Sequence, residues 1–109
     1  MPESSERGAL TEAVFYILLS LYTPMHGYRI MQAMKEFSNN RVSLGAGTLY
    51  GALNTLLEKQ WIEPLPGVMD SRKKEYQITD AGRTIVVEEI ARLEELVANG
   101  KRIVRGTLL

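Results

Sequence analysis

The sequence predicts a mainly α-helical domain with a small β-hairpin, and three observations lead to this fold class. Apolar residues recur at helical spacing in three segments before residue 60 and in one long segment after residue 80. Two runs of strand-forming residues between them are separated by a loop rich in turn formers. The chain has 109 residues, which is room for one compact domain with a single core.

The composition excludes several classes of protein. The 13 basic and 13 acidic side chains cancel, so any affinity for nucleic acid must come from a local patch. The chain has no cysteine and a single histidine, His26, which removes disulfides, thiolate chemistry and most metal sites. We therefore expect no enzyme, no cofactor and no metal centre, because no catalytic triad, phosphate loop or cleft of paired carboxylates is visible.

No targeting signal is evident in the sequence. Residues 1–8 are polar, unlike the basic and apolar regions of a signal peptide. The longest apolar stretch, residues 13–22, is about half as long as a membrane span. A cytoplasmic protein without a membrane partner is the expectation.

The first two helices are predicted from their apolar faces. The first runs from Leu10 to Tyr22 and is apolar nearly all round, so it must be buried on more than one side. In so small a domain, a second subunit covers the additional side more easily than the chain itself. Pro24 ends this helix, and a second helix is predicted from Gly27 to Ser38. A turn at Asn39-Asn40 and a very short strand at residues 42–44 follow.

The third predicted helix begins near Ala46 and ends around Lys59 or Gln60. At about 100° per residue, its leucines and one alanine share an arc that we expect to be buried. This arc consists of Leu49, Ala52, Leu53, Leu56 and Leu57. The opposite face is small and polar, and its glycines, Gly47 and Gly51, each weaken a helix by roughly 1 kcal/mol relative to alanine. Low bulk lets a helix approach another surface closely, whereas an ordinary solvated face more often holds Lys and Glu.

A β-hairpin is predicted after the third helix. Residues 61–65 and 74–78 are the strands, and residues 66–72 are the loop between them. Three consecutive basic residues, Arg72, Lys73 and Lys74, follow the loop tip, and strand alternation cannot bury all of them. These residues either contact phosphates or merely keep the edge of the hairpin soluble.

The last predicted helix has Thr79 as its N-cap and extends from residue 81 to at least residue 98. Its apolar residues have a heptad-like spacing that is typical of a packing seam between helices. The seam consists of Val86, Ile90, Leu93, Val97 and Val104. Asn99-Gly100 either ends or kinks the helix, and Glu88 is expected to pair with Arg92. Such a seam packs either within one chain or between two chains. Because the helix is longer than the domain needs, we expect the seam to mediate dimerisation.

The order of these elements indicates a winged helix-turn-helix followed by a long C-terminal dimerisation helix. Two helices followed by a third with a slim polar face are typical of recognition in the major groove of DNA. The hairpin adds a wing whose basic residues would contact phosphates. The expected organisation is a flexible N-terminus over residues 1–9, a DNA-binding domain over residues 10–79, and a dimerisation helix and tail over residues 80–109.

Three blocks of the sequence resemble the PadR-like winged-helix transcriptional regulators. The blocks are residues 24–30 (PMHGYRI), 47–53 (GTLYGAL) and 72–83 (RKKEYQITDAGR). They occur in the order and spacing of the family and cover nearly the whole chain from Leu10 onward. The short tail after Arg83 is similar to the smaller subtype of the family, which has one C-terminal helix for dimerisation.

The chain departs from the family pattern at two places. The family usually has proline at the position of Gly51. Small regulators of this kind that bind flat aromatic drugs carry a tryptophan on the final helix, whereas the single tryptophan here, Trp61, begins a predicted strand. The sequence therefore does not predict a stacking type of drug site on the final helix.

The resemblance assigns DNA contacts to two groups of residues. The groove-facing group is Gly47, Thr48, Tyr50, Gly51, Asn54 and Thr55, and the wing group is Arg72, Lys73 and Lys74. Asn54 would pair with adenine, and Thr48 would touch a base edge or a phosphate. Tyr50 has two open roles, as a hydroxyl donor to phosphate or as a ring half-buried beside the second helix. Arg41 and Ser43 are weaker candidates for phosphate contacts.

The resemblance also implies a homodimer that binds double-stranded DNA at a palindromic operator and acts as a repressor. The expected dimer interface comprises Leu10, Val14, Ile17, Leu21, Val86, Ile90, Leu93 and Val97. If a small aromatic or apolar effector binds, it is expected between the first and last helices, near Phe15, Tyr16 and Leu19. These aromatic residues have a second interpretation as core and interface. The alternative function is a winged-helix module that binds protein instead of DNA.

Overall fold

The computed structural model describes residues 8–67 and 73–106, and its helices and hairpin follow the predicted order. Four helices are present in these ranges: α1 spans Glu12–Ser20, α2 spans Gly27–Phe37, α3 spans Ala46–Glu58 and α4 spans Asp80–Val104. Three strands accompany them: β1 spans Met25–His26, β2 spans Ile62–Pro64 and β3 spans Glu75–Ile78. The prediction of a mainly helical domain with a small antiparallel sheet is confirmed.

The sheet has the strand order β1-β3-β2, and both pairings are antiparallel. Strands β2 and β3 form the predicted hairpin, with Ile62 opposite Ile78. The third strand comes from Met25–His26, which pairs with the other edge of β3. The expectation of a short strand at residues 42–44 is wrong, because this segment takes no part in the sheet and leads directly into α3.

Side-chain caps fix the starts of three helices. The Thr11 hydroxyl accepts a hydrogen bond from the N–H of Val14, and Nδ1 of His26 accepts one from the N–H of Arg29. Thr79 caps α4 in the same way, as the sequence predicts. Each cap satisfies an amide group that the first turn of a helix leaves without a partner.

One apolar core joins the helices to the sheet. Its largest fully buried apolar side chains are Ile17, Leu18, Leu21, Ile30, Met34, Leu49, Leu53, Ile62 and Ile78. On α3 the predicted arc is buried at three leucines, whereas Ala52 and Leu57 lie at its half-exposed border. One side of α3 therefore packs in the core, and the other side is exposed to solvent.

A close contact between α4 and the segment after α3 fixes where the long helix begins. Thr79 donates from its N–H to the carbonyl oxygen of Trp61 (3.0 Å) and from its hydroxyl to that of Gln60 (2.7 Å). Gly82, in the first turn of α4, lies very close to this segment. A Cβ atom on Gly82 would stand 2.2 Å from the carbonyl oxygen of Trp61. Only glycine allows this approach, so the start of α4 is tied to the end of α3 and to the sheet.

Helix α4 continues without a break through Asn99-Gly100, and its 25 residues span about 37 Å. The expected pairing of Arg92 with Glu88 is wrong, because Arg92 instead donates two hydrogen bonds to Glu89. Glu89 is only 1% exposed and also accepts a hydrogen bond from the N–H of Leu10 (3.3 Å). This buried carboxylate ties the segment before α1 to α4. No helix in the described part of the chain is long and apolar enough to cross a membrane.

Replacement of Gly82 by alanine tests the contact that fixes α4. The added Cβ would collide with the Trp61 carbonyl oxygen and stand 2.7 Å from a side-chain carbon of Ile78. We therefore expect Gly82→Ala to lower the free energy of unfolding by about 1–3 kcal/mol. Urea denaturation followed by circular dichroism measures the change.

Gly51→Ala is the matched control, since Gly51 also lies inside a helix. A Cβ atom there meets nothing within 4 Å, so this substitution should raise the free energy of unfolding by about 0.5–1 kcal/mol. Equal effects of the two substitutions would contradict the close contact.

Candidate nucleic-acid interface

Helix α3 presents a narrow, polar face to solvent, whose one charged residue, Glu58, lies in the last turn. Its exposed residues include Gly47, Thr48, Gly51, Asn54 and Thr55, all members of the predicted groove-facing group. The opposite side is packed into the core, so the helix cannot rotate without exposing its leucines. The outer face offers two hydroxyl groups and one amide, each of which can donate and accept hydrogen bonds.

Two glycines keep the bulk of this face low. A Cβ atom at Gly47 or Gly51 would meet nothing within 4 Å, so no neighbouring atom of the chain requires glycine there. The effect of these glycines is therefore on the outside of the molecule. They let another surface approach the backbone of α3 more closely than larger side chains would allow.

Tyr50 lies at the border of this face and is directed towards α2. Its ring is half-buried, and a Cβ atom on Gly27 would stand only 2.3 Å from its hydroxyl oxygen. Of the two roles open in the sequence, this position corresponds to the ring beside the second helix. Burial raises the pKa of Tyr76 on β3, and the nearby Tyr50 adds to the effect. Tyr50 thus packs α3 against α2 and the sheet.

Arg41, in the segment before α3, is held by an ion pair. Its guanidinium group donates to both carboxylate oxygens of Glu12 on α1, with an Nη1–Oε1 distance of 2.8 Å. These hydrogen bonds hold the pKa of Glu12 below its usual value and raise the pKa of Arg41. Ser43 is exposed two residues later. Arg41 is therefore accessible, but its charge is partly compensated.

Two basic residues of the hairpin, Lys73 and Lys74, directly precede its second strand, β3. The N–H of Leu65 donates to the carbonyl oxygen of Glu75 at 2.9 Å, which closes the hairpin before its loop. Lys73 is exposed and Lys74 is half-buried, whereas Arg72 lies outside the described residues. Of the two lysines of the hairpin, Lys73 is the more accessible to a partner.

Three residues of the predicted dimer interface belong to the core of the chain. Ile17, Leu21 and Val86 are 0%, 0% and 2% exposed, so the interface prediction is wrong for them. Helical spacing alone cannot separate a side that packs within the chain from a side that packs against a partner. Leu10 and Val14 are half-buried and keep part of their surface accessible.

The other three predicted interface residues remain accessible on the outer half of α4. Ile90, Leu93 and Val97 are 40%, 38% and 53% exposed. Further large apolar residues on the same half of the helix are also exposed, namely Leu96, Ile103 and Val104. Of these, Leu96 and Ile103 were not in the predicted seam. This half of α4 thus carries an apolar stripe that the described residues leave largely or partly exposed.

The three residues expected near an effector are placed in different surroundings. Phe15 lines a shallow apolar groove of about 520 Å³ along the outer half of α4. The ring of Tyr16 lies against that of Phe37, with centroids 5.6 Å apart. Leu19 packs against the core. The groove at Phe15 is continuous with the apolar stripe of α4.

A second cavity, beside α3, is absent from the sequence predictions. It has a volume of about 590 Å³ and is lined by residues near the start of α1, in α3, at Trp61 and in α4. Within it, Nζ of Lys59 lies 5.2 Å from the centroid of the Trp61 ring. The lining residues come from separate segments, so no local pattern could have joined them. The single tryptophan of the chain was the one available signal.

The described residues hold no grouping suited to a metal ion. Within residues 8–67 and 73–106, no three His, Cys, Asp or Glu side chains lie together as such a site requires. The single histidine, His26, is engaged in capping α2.

A helix with a slim polar outer face, packed on two shorter helices and followed by a β-hairpin, defines a winged helix-turn-helix protein. The sequence pattern of the transcriptional regulator PadR-like family matches residues 15–88, a range that includes α2, α3 and the whole sheet. The chain belongs to this family. PadR-family regulators are DNA-binding proteins without enzymatic activity, which agrees with the prediction that the chain is not an enzyme.

Individual proteins show the same likeness. The chain is 41% identical over 66 residues to an uncharacterized 37.1 kDa protein in transposon TN4556 of Streptomyces fradiae, a match that covers 61% of this chain and 18% of that protein. Its structure resembles a PadR-like transcription factor from Bacteroides fragilis, with 27% identity, a TM-score of 0.67 and coverage of 83% of this chain and 87% of that one. It also resembles RosR of H. salinarum, with 25% identity, a TM-score of 0.63 and coverage of 86% and 96%.

The ion pair of Glu12 and Arg41 predicts a pH dependence of stability. The folded chain holds the pKa of Glu12 below the ordinary 4.5. The pair therefore stabilises the fold above that pH, and its contribution is lost as the pH falls through the lowered pKa. We expect the wild type to lose more stability than Arg41→Ala on acidification below 4.5, as measured by urea denaturation at a series of pH values.

Carboxyl NMR titration gives the direct measurement of this pair. In Arg41→Ala the pKa of Glu12 should rise towards its ordinary value. Arg29→Ala is the control, because Arg29 is also exposed but faces Glu36 at 3.6 Å and not Glu12. If the pKa of Glu12 stayed the same in Arg41→Ala, the pairing would be refuted.

Proposed function

We propose that this chain is a sequence-specific DNA-binding regulator of transcription that acts as a homodimer on a palindromic operator. The observation that carries the proposal is the outer face of α3, which is exposed, polar, low in bulk and able to hydrogen-bond, with one charged residue, Glu58, in the last turn. A helix of this kind fits the major groove of DNA, which is about 12 Å wide. Because a dimer on its operator blocks access by other proteins, repression is the outcome we propose.

In this proposal the outer face of α3 reads the base sequence. Asn54 pairs with adenine through its amide, and Thr48 contacts a base edge or a phosphate near the start of the helix. Thr55 lies beside Asn54 and donates its hydroxyl to the carbonyl oxygen of Gly51 at 3.3 Å, so its oxygen remains able to accept. Gly47 and Gly51 let the backbone come close to the floor of the groove.

The wing and the segment before α3 contribute affinity without reading sequence. Arg72, Lys73 and Lys74 contact phosphates, which makes their contribution dependent on salt. Arg41 also contacts a phosphate, which replaces the carboxylate of Glu12 as the partner of its guanidinium group. These local charges supply the attraction that the zero net charge of the chain does not.

The apolar stripe on the outer half of α4 supports the homodimer. At about 100° per residue, its six exposed apolar residues occupy an arc of about 140°. This arc is wider than the seam of a two-stranded coiled coil. We infer that the partner covers it with its own α4 and with the Phe15 side of its α1. A pair of α4 helices would then set two copies of α3 into successive major grooves, about 34 Å apart.

A winged-helix module that binds protein remains the second candidate function. The observation in its favour is that α3 contains no Lys or Arg, while most DNA-contacting surfaces are basic. A direct titration with duplex DNA distinguishes the two functions.

Fluorescence anisotropy with labelled duplex DNA from the region upstream of the gene tests DNA binding. We expect saturable binding that weakens as the salt concentration rises. The triple variant Arg72→Ala, Lys73→Ala, Lys74→Ala should bind more weakly, and its salt slope should be shallower by about 0.9 for each phosphate that the variant no longer neutralises. Absence of binding, both to this region and to a random operator library, would favour the protein-binding module.

Asn54→Ala tests base reading separately from the wing. We expect it to lose about 1–3 kcal/mol of preference for the operator over unrelated duplex, because a bidentate base contact is removed. Its salt slope should equal that of the wild type, since no charge changes. A uniform loss of affinity for all sequences would contradict the role of Asn54 in base reading.

Charges placed on the stripe of α4 test the dimer. The double variant Ile90→Asp, Leu93→Asp should be monomeric in analytical ultracentrifugation and should lose most of its affinity for the operator, because each monomer reaches one half-site. Ala91→Asp is the control, since Ala91 is exposed on the opposite side of the same helix turns. A double variant that stays dimeric and binds DNA normally would refute the interface.

A further inference from the structure

The cavity beside α3 has the size and the lining of a small-molecule site. Its apolar walls are formed by Leu10, Val14, Ala52, Leu56, Trp61 and Ile85. Its volume of about 590 Å³ lies within the range of about 300–1,000 Å³ that is typical of ligand pockets. A volume in this range is large enough for a compact small molecule.

Two side chains of opposite charge line the cavity, and they limit the chemistry of its occupant. Lys59 lies over the ring of Trp61, and Glu88 lines the cavity from α4. Because the two charges oppose each other, a ligand with net charge would be attracted by one and repelled by the other. A neutral molecule can accept a hydrogen bond from Lys59 or donate one to Glu88 without this penalty.

The cavity is distinct from the groove that we assign to the dimer, and it shares with the expected dimer interface only Leu10 and Val14, which line it from the α1 side. The groove is lined by Phe15 and by residues of the outer half of α4, and none of these residues lines the cavity. The cavity lies against the inner half of α4, at Ile85, and against the C-terminal half of α3.

We propose that this cavity binds a small neutral molecule with an apolar body and one hydrogen-bonding group. The apolar body packs between Trp61, Leu56 and Ile85, and the polar group faces Lys59 or Glu88. The ligand is held largely by burial of its apolar surface.

Binding in this cavity acts on the proposed DNA-binding helix directly, and this part of the inference rests on the proposed function. Thr55 lines the cavity and also belongs to the outer face of α3. A ligand in contact with Thr55 takes up surface that DNA would use, so ligand and DNA weaken the binding of each other. By linkage, the factor by which the ligand lowers the DNA affinity equals the factor by which DNA lowers the ligand affinity.

The full chain without DNA, titrated with the neutral apolar dye Nile red, tests the site. Trp61 is the single tryptophan of the chain, so its emission reports this cavity and no other part of the protein. We expect the dye to brighten and the emission of Trp61 to be quenched with the same midpoint. Dye binding without quenching of Trp61, or no dye binding, would overturn the proposal.

Two variants that fill the cavity and one control identify the place of binding. Ala52→Leu and Ile85→Phe add bulk from α3 and from α4, and each should weaken dye binding at least tenfold. Ala98→Leu adds the same bulk as Ala52→Leu to the groove on the outer half of α4 and should leave dye binding unchanged. Thermal unfolding shows which variants fold, and either folded cavity variant is sufficient for the test. Binding lost only in Ala98→Leu would place the dye in the groove and overturn the proposal.

Two further outcomes are distinguished in the same experiment. If the emission of Trp61 changes with protein concentration in step with dimer formation and the dye does not compete, a second copy covers the cavity and the proposal is wrong. Anisotropy of labelled duplex in saturating dye measures the coupling, and an unchanged DNA affinity would overturn it. If the chain binds no DNA at all, the dye titration still decides whether the cavity is a ligand site, so the two proposals fail separately.

Discussion

The architecture depends on how closely the first turn of α4 approaches the carbonyl oxygen of Trp61. Thr79 donates hydrogen bonds to two carbonyl oxygens in the segment after α3, and Gly82 lacks the side chain that would otherwise collide with one of them, that of Trp61. This contact fixes the direction in which α4 leaves the domain relative to α3. The proposed dimer needs a rigid relation between these helices, because in that proposal the pairing of the two α4 helices sets the spacing of the two copies of α3.

Helix α3 has residues in three different environments, and each environment constrains a different set of them. Its leucines form part of the core, its glycines and small polar residues form the outer face, and Ala52 and Thr55 line the cavity beside Trp61. Thr55 belongs to two of these sets. A change in the cavity therefore acts on the outer face directly through Thr55, and it needs no long-range pathway through the protein.

Much of the fold follows from local pattern, because the helices and the hairpin are marked by spacing, caps and turn residues. The strand β1 could not be found in this way. Two residues, Met25 and His26, carry no strand pattern, and they pair with β3 only because the packing of α2 brings them to its edge. The interface prediction failed at Ile17 and Leu21 for a related reason, since an apolar helix face does not reveal whether its cover is the same chain or another.

The sequence by itself determined the order of the helices and the hairpin, the family, the exposed residues of α3 and the cap at Thr79. These depend on neighbours in sequence, whose spacing sets which side of a helix or strand they share. The tertiary structure decided the buried pairing of Glu89 with Arg92, the pairing of Arg41 with Glu12, and the cavity at Trp61. Each of these joins separate segments or depends on which side of α4 faces the core, and only packing of the whole chain brings such groups together.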